Sequence, residues 1–150
     1  MVRQPEMALA DLYELDETAW LEATAAAIRR GAVGDLDYPN LAEYLSDMAR
    51  RDRHEVESRL AVLIAHVLKW VHQPDLRSRS WRGTIVEQRQ ELSRRTTRGV
   101  LRNHAEAVLA DVYAEAVERA VADTDLPATT FPAECPYTLE QLLSFDPAAE

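Results

Sequence analysis

The sequence predicts an all-α protein: a single-domain helical bundle of about five helices with a proline-rich C-terminal tail. Apolar residues recur at steps of three and four along most of the chain, which is the spacing of an amphipathic helix. No stretch sustains the alternation of β-branched and polar residues that marks a strand. A chain of 150 residues can bury one core. We expect an arm over 1–15, a bundle over 16–123 and a tail over 124–150.

The first two helices are predicted from their ends. Asp16 is the expected N-cap of a first helix that Gly31 stops. A second helix runs from about 40 to 51, after Pro39. Asp52 and Glu55 resemble a capping box, so the second and third helices are either separate or joined at a kink near 51–52. The arm before Asp16 is expected to be loosely ordered, with docking possible at Leu12, Tyr13 and Leu15.

The third helix, from about 53 to 72, is predicted to be the central one. Its apolar face is broad and consists of Val56, Leu60, Leu63, Ile64, Val67, Leu68, Trp70 and Val71. One polar stripe remains on it, formed by Glu55, Arg59, His66, Lys69 and Gln73. The apolar run 60–71 has about 12 residues where a membrane span needs about 20, so we expect no membrane insertion.

Two further helices and a short terminal one follow. Pro74 ends the third helix, and Ser78 or Ser80 is the expected N-cap of a fourth over about 81–95. Gln88 occupies a core-type position in it. A fifth helix covers about 100–123. The tail holds 4 of the 7 prolines and one short helix near 139–143, capped by Thr138. Its apolar anchors to the bundle are Phe131, Tyr137, Leu142 and Phe145.

Charge is segregated along the chain, whose formal net charge is −9. Residues 1–47 carry −7, residues 77–102 carry +6 and residues 103–150 carry −9. An acidic surface repels nucleic-acid phosphates, so we expect no general nucleic-acid binding. Cys135 is the only cysteine and the four histidines lack ligand spacing, so no metal and no cofactor are expected. The N-terminus lacks the apolar core of a signal peptide, and a cytoplasmic location is the expectation.

Arg59, His66 and Lys69 are the candidate catalytic residues. Arg59 and His66 are separated by six residues, which fits the loose Arg–His spacing of HEPN ribonucleases, themselves small helical bundles. In such a site the arginine stabilises phosphate charge while the histidine moves a proton of the RNA 2′-hydroxyl, without a metal. Those enzymes place a polar residue beside the arginine, whereas here Leu60 follows Arg59. Arg98 and His104 fit the same loose spacing, which shows that it arises easily by chance. The alternative is that Lys69 reaches solvent and His66 makes a structural hydrogen bond.

Arg77, Arg79 and Arg82 are the candidate anion-binding residues. They surround Ser78 and Ser80 just before the fourth helix, whose first N–H groups point into the same region. Arginine forks and a helix N-terminus together favour a phosphate, a sulfate or a partner's carboxylate. The competing hypothesis is a structural clasp, in which the chain's own Asp or Glu residues fill the place.

Three stretches resemble a bacterial family, common in cyanobacteria, that is classified as the twenty-ninth domain of unknown function. They are HVLKWVHQPDLRSRSWRGTIVEQR, LDETAWLEATAAAIRRG and LPATTFPAECPYTLEQLL. The most specific positions are His66, Lys69-Trp70, Gln73-Pro74, Ser80-Trp81 and Gln88-Arg89, and the similarity extends from about Tyr13 to Leu143. The resemblance implies a compact all-helical domain and supplies neither an activity nor catalytic residues.

The function that these observations favour is a non-enzymatic, cytoplasmic interaction or regulatory module with a protein partner, including a second copy of the chain. The motivation is the segregation of charge together with the lack of a recognisable catalytic motif. The alternative is a metal-independent ribonuclease or phosphate-binding bundle that uses Arg59, His66 and Lys69. Convergence of those three side chains at a cleft open to solvent would favour the alternative.

Overall fold

The computed structural model describes residues 7–149, and within them the chain forms six α-helices and no β-strand, so the all-α prediction is confirmed. In chain order they are α1 (Leu9–Leu15), α2 (Glu17–Arg29), α3 (Tyr38–His72), α4 (Arg79–Arg95), α5 (Val100–Thr124) and α6 (Leu139–Leu143). They belong to two compact units, one up to Arg50 and the other from Arg51 onward. Helix α3 contributes residues to both.

The first unit is built around Trp20, whose side chain is fully buried. The rings of Tyr13 and Tyr44 lie 4.8 and 5.7 Å from it. The indole Nε1–H donates to Asp37 Oδ2 at 3.3 Å, which satisfies the one polar group of a buried tryptophan. A single aromatic side chain therefore ties α1, α2 and the start of α3 together.

The C-terminal half of the N-terminal arm is more ordered than we expected, because residues 9–15 form helix α1. Asp16 ends α1 in extended backbone and N-caps α2, where its carboxylate accepts from the N–H of Ala19 at 3.0 Å. Tyr13 docks on Trp20, whereas Leu15 is exposed. Gly31, at a φ of +74°, terminates α2 as predicted, because a left-handed residue after a helix suits glycine. Residues 1–6 lie outside the described part of the chain.

Helix α3 is continuous over 35 residues, which settles whether the second and third predicted helices are separate or joined. Pro39 lies in its first turn, where no backbone N–H is needed. The expected capping box at Asp52 does not form a boundary, since the helix continues through it. Tertiary burial of the following turns outweighs the local cap signal.

The second unit packs α4, α5 and α6 around the C-terminal half of α3. Its core includes Val56, Leu60, Leu63, Ile64, Val67, Leu68, Ile85, Leu92, Val112, Ala116 and Leu142. The predicted apolar face of α3 is therefore the buried one, apart from Val71, which is exposed. Burial of this set makes α3 the central helix of this unit.

The tail crosses α5 and returns to the core of the second unit. The Tyr113 hydroxyl donates to the carbonyl of Pro132 at 2.5 Å, and Phe131 is buried with its ring 5.1 Å from that of His72. Helix α6 begins with the capping box at Thr138, as its sequence predicts. After it, Arg89 donates to the carbonyl of Phe145 at 2.6 Å.

Candidate anion-binding site

Arg59 lies in a charged network between α3 and α4. Its Nε donates to Glu55 Oε1 and its Nη1 to Gln88 Oε1, each at 3.1 Å. The same Glu55 oxygen lies 3.0 Å from Nη2 of Arg95, which also approaches Glu91 at 3.7 Å. Arg59 and Arg95 thus share the Glu55 carboxylate, and the hydrogen bond from Arg59 explains why Gln88 is polar at a core-type position. The Arg59 guanidinium is thus already bonded to Glu55 and Gln88.

His66 is half-buried, and its Nδ1 lies 2.8 Å from the carbonyl of Val62, one turn earlier. That contact makes Nδ1 the protonated nitrogen of the neutral ring. Burial lowers the pKa of His66, the hydrogen bond to Val62 opposes this, and the positive charge of Lys69 lowers it further. Folding therefore shifts the protonation equilibrium of His66 toward the neutral imidazole.

Lys69 is buried rather than extended to solvent. Its Nζ lies 3.1 Å from Asp123 Oδ2 on α5 and 5.2 Å from the centre of the Trp81 ring. Its side chain is 8% exposed, whereas that of Asp123 is 46% exposed. The pair joins α3 to α5, with only the carboxylate at the surface.

The three candidate catalytic residues therefore have different partners. Arg59 and His66 are seven positions apart, which corresponds to about 10 Å along a helix axis. Arg59 is held by α4, Lys69 by α5, and His66 by the backbone of α3 itself. None of these contacts brings the three charged or polar ends to one point, as acid–base catalysis on one phosphate would need.

The arginines around the N-terminus of α4, in contrast, do converge. Ser78 is the N-cap, and its hydroxyl accepts from the N–H of Trp81 at 3.2 Å. Arg77 folds back over α3: its guanidinium lies 4.8 Å from the Trp70 ring centre, and its Nε donates to the Trp70 carbonyl at 2.8 Å. These contacts join the loop between α3 and α4 to the C-terminal end of α3. They also place one arginine against an apolar ring, where its charge is less screened than in water.

A pocket of about 350 Å³ opens at this place. We call it the arginine pocket, and its lining residues are Trp70, Arg77, Ser78, Arg79, Arg82 and Pro147. All three predicted arginines line it. Arg79 and Arg82 are exposed, and within residues 7–149 neither forms an ion pair with an acidic side chain. Both guanidinium groups are therefore accessible to an external anion.

Sequence reasoning missed two contributors to the arginine pocket. Trp70 was expected only in the core, yet it forms one wall, and its buried indole N–H has no hydrogen-bond acceptor in the described part of the chain. Pro147, near the end of the tail, is buried and closes another side. For Trp70 the one available signal was its place, with Lys69, among the most specific positions of the family resemblance. For Pro147 there was no signal in the sequence, because this residue lies about 70 positions after the arginines.

The fold and this pocket define a small all-α protein with a basic site on an otherwise acidic chain. The chain belongs to the family described as "Domain of unknown function DUF29", whose sequence model matches residues 12–146. Comparison with curated proteins and with solved structures yields no match. The resemblance seen in the sequence is thus confirmed over nearly the whole chain.

Two further properties of residues 7–149 concern membranes and metal ions. None of the helices there combines the length and apolarity needed to cross a bilayer. No group of three or more His, Cys, Asp or Glu side chains is arranged to hold a metal ion in that part of the chain.

Proposed function

We propose that the protein is a non-enzymatic interaction module whose second unit binds an anionic group of a partner in the arginine pocket. The observation that carries the proposal is the pair Arg79 and Arg82, both exposed and unmatched by acids of the described chain, beside the N-terminus of a 17-residue helix. Two guanidinium forks and a helix dipole favour a phosphate or a carboxylate at the same point.

The side chains that line the arginine pocket support binding rather than catalysis. Among residues 7–149 its lining offers hydrogen-bond donors and positive charge, but no histidine, carboxylate or cysteine that could act as a base or a nucleophile. The ribonuclease alternative needs Arg59 and His66 to act together, and Arg59 is already paired with Glu55. The geometry therefore favours the interaction module over the alternative.

Inorganic phosphate is the simplest probe of the arginine pocket. A ligand that binds only the folded state at ten times its dissociation constant stabilises it by about 1.4 kcal/mol. For a chain of this size that corresponds to a rise in the thermal midpoint of about 3–6 °C. Midpoints are measured with phosphate and with chloride at equal ionic strength, so that general screening is the same in both.

Two variants make the test specific. The double variant Arg79→Ala/Arg82→Ala should lose the phosphate-dependent rise, whereas Arg50→Ala, an exposed arginine of the first unit, should retain it. An equal rise in the double variant would show that phosphate binds elsewhere. No rise in the wild type, together with a marked loss of stability in Arg79→Ala, would establish the clasp instead.

A further inference from the structure

A second cavity of the same unit lies apart from the arginine pocket and shares no residue with it. It is a groove of about 1010 Å³ between α5 and the tail segment 128–137, which we call the tail groove. Leu109, Tyr113 and Val117 contribute its α5 side, and Phe131 and Tyr137 contribute its tail side. Because the Tyr113 hydroxyl is bonded to the Pro132 carbonyl, the two sides are held at a defined separation.

The tail groove is elongated along α5. The lining residues on that helix extend from Glu106 to Val117, which corresponds to about 16 Å, or three helical turns. Ala110 and Ala114, one turn apart and both exposed, leave this side without bulky side chains. An apolar groove of this length matches the anchors of an amphipathic helix at positions i, i+4 and i+7.

The margin of the groove is acidic. Glu106 and Glu134 line it, and Asp111 and Glu118 are exposed on α5 three and four positions from Ala114, hence on the same face as that lining residue. Of these four acids, within the described part of the chain, Glu106 alone has an ion-pair partner on its own helix, Arg102 at 3.1 Å. The surroundings thus repel an anionic occupant and favour one with positive charge beside its apolar face.

We infer that the tail groove docks an amphipathic helix of a partner protein that carries apolar anchors on one face and Lys or Arg residues beside them. The apolar face fills the groove between α5 and the tail. The basic residues meet the carboxylates at its margin and select the partner and its orientation. This inference does not depend on the arginine pocket, which has the opposite charge and a different lining.

Cys135 provides a direct measure of occupancy. It lines the tail groove, it is partly exposed, and it is the only thiol in the chain. Burial raises the pKa of this thiol, so alkylation by a bulky maleimide is followed at mildly alkaline pH. An occupant of the groove shields the sulfur and slows the reaction.

The probe is a synthetic helical peptide with leucines on one face and lysines elsewhere. Two peptides serve as controls: one with the same composition but leucines scattered around the helix, and one with glutamate in place of each lysine. We expect the first peptide to slow Cys135 alkylation several-fold and to bind in a salt-sensitive manner by fluorescence anisotropy. Equal protection by either control peptide would overturn the inference, as would protection by none of the three.

Matched variants of α5 locate the binding. Ala114→Arg places a bulky cation in the groove and should abolish binding, whereas Ala122→Arg makes the same change at an exposed α5 alanine outside it and should not. Unchanged thermal midpoints establish that both variants fold. Equal binding by both variants would refute the assignment. The assignment would also be refuted if the protein formed a concentration-dependent dimer that protects Cys135 without peptide and that Ala114→Arg abolishes. The occupant of the groove would then be a second copy of the chain.

Discussion

The buried ion pair between Lys69 and Asp123 predicts that its two members respond very differently to substitution. The ammonium is enclosed by α3, α5 and the Trp81 ring, while the carboxylate is half in water. Asp123→Ala leaves a buried positive charge without its partner. Lys69→Met removes the charge and keeps much of the packed stem, and the remaining carboxylate returns to solvent.

The magnitudes follow from that difference in exposure. An orphaned buried polar or charged group costs about 1–3 kcal/mol or more, so Asp123→Ala should lower the free energy of unfolding by about that amount. Replacing the lysine of a buried pair by an apolar side chain of similar shape is often close to neutral, so Lys69→Met should lie within about 1 kcal/mol of the wild type. The midpoint of Asp123→Ala should then fall by at least about 2–4 °C.

Urea unfolding followed by circular dichroism measures both free energies at constant pH. Glu118→Ala controls for the gain in helix propensity on replacing an acid by alanine, because Glu118 is exposed on the same helix. A cost of Lys69→Met equal to or above that of Asp123→Ala would refute the reasoning. It would mean that the lysine makes favourable interactions beyond those with Asp123.

Three further predictions concern single positions. Gly99 lies just before α5 at a φ of +83°, so Gly99→Ala should lower the free energy of unfolding by about 1–3 kcal/mol. Gly83 lies inside α4 with open space around it, so Gly83→Ala should stabilise the protein slightly. Chemical denaturation compares the two variants. Because the pKa of His66 is lowered in the folded state, the unfolded chain binds protons first as pH falls below about 6.5, and the free energy of unfolding should decrease there. In urea titrations, His66→Gln should reduce the dependence of this free energy on pH. Purified protein should not cleave unstructured RNA without metal; cleavage abolished by His66→Ala in a folded variant would restore the ribonuclease alternative.

The helix ends were accessible from sequence because their signals act within one turn. Asp16, Ser78 and Thr138 each cap the backbone three positions ahead, as their side chains predict. Where such a signal failed, at Asp52, burial of the neighbouring turns in α3 determined the outcome. The buried face of α3 was likewise predictable, because a periodic apolar pattern has only one way to face a core.

The partners of the polar residues were decided by tertiary packing alone. The polar stripe on α3 was visible as a stripe, yet Arg59 pairs with Gln88 and Lys69 with Asp123, at separations of 29 and 54 residues. Convergence of Arg77, Arg79 and Arg82 was predictable, because all three lie within six residues around the N-terminus of α4. The walls supplied by Trp70 and Pro147 were not. Local chemistry determines which groups are charged and where helices begin, but contacts between distant segments depend on how the helices pack, and no periodicity in one segment encodes that.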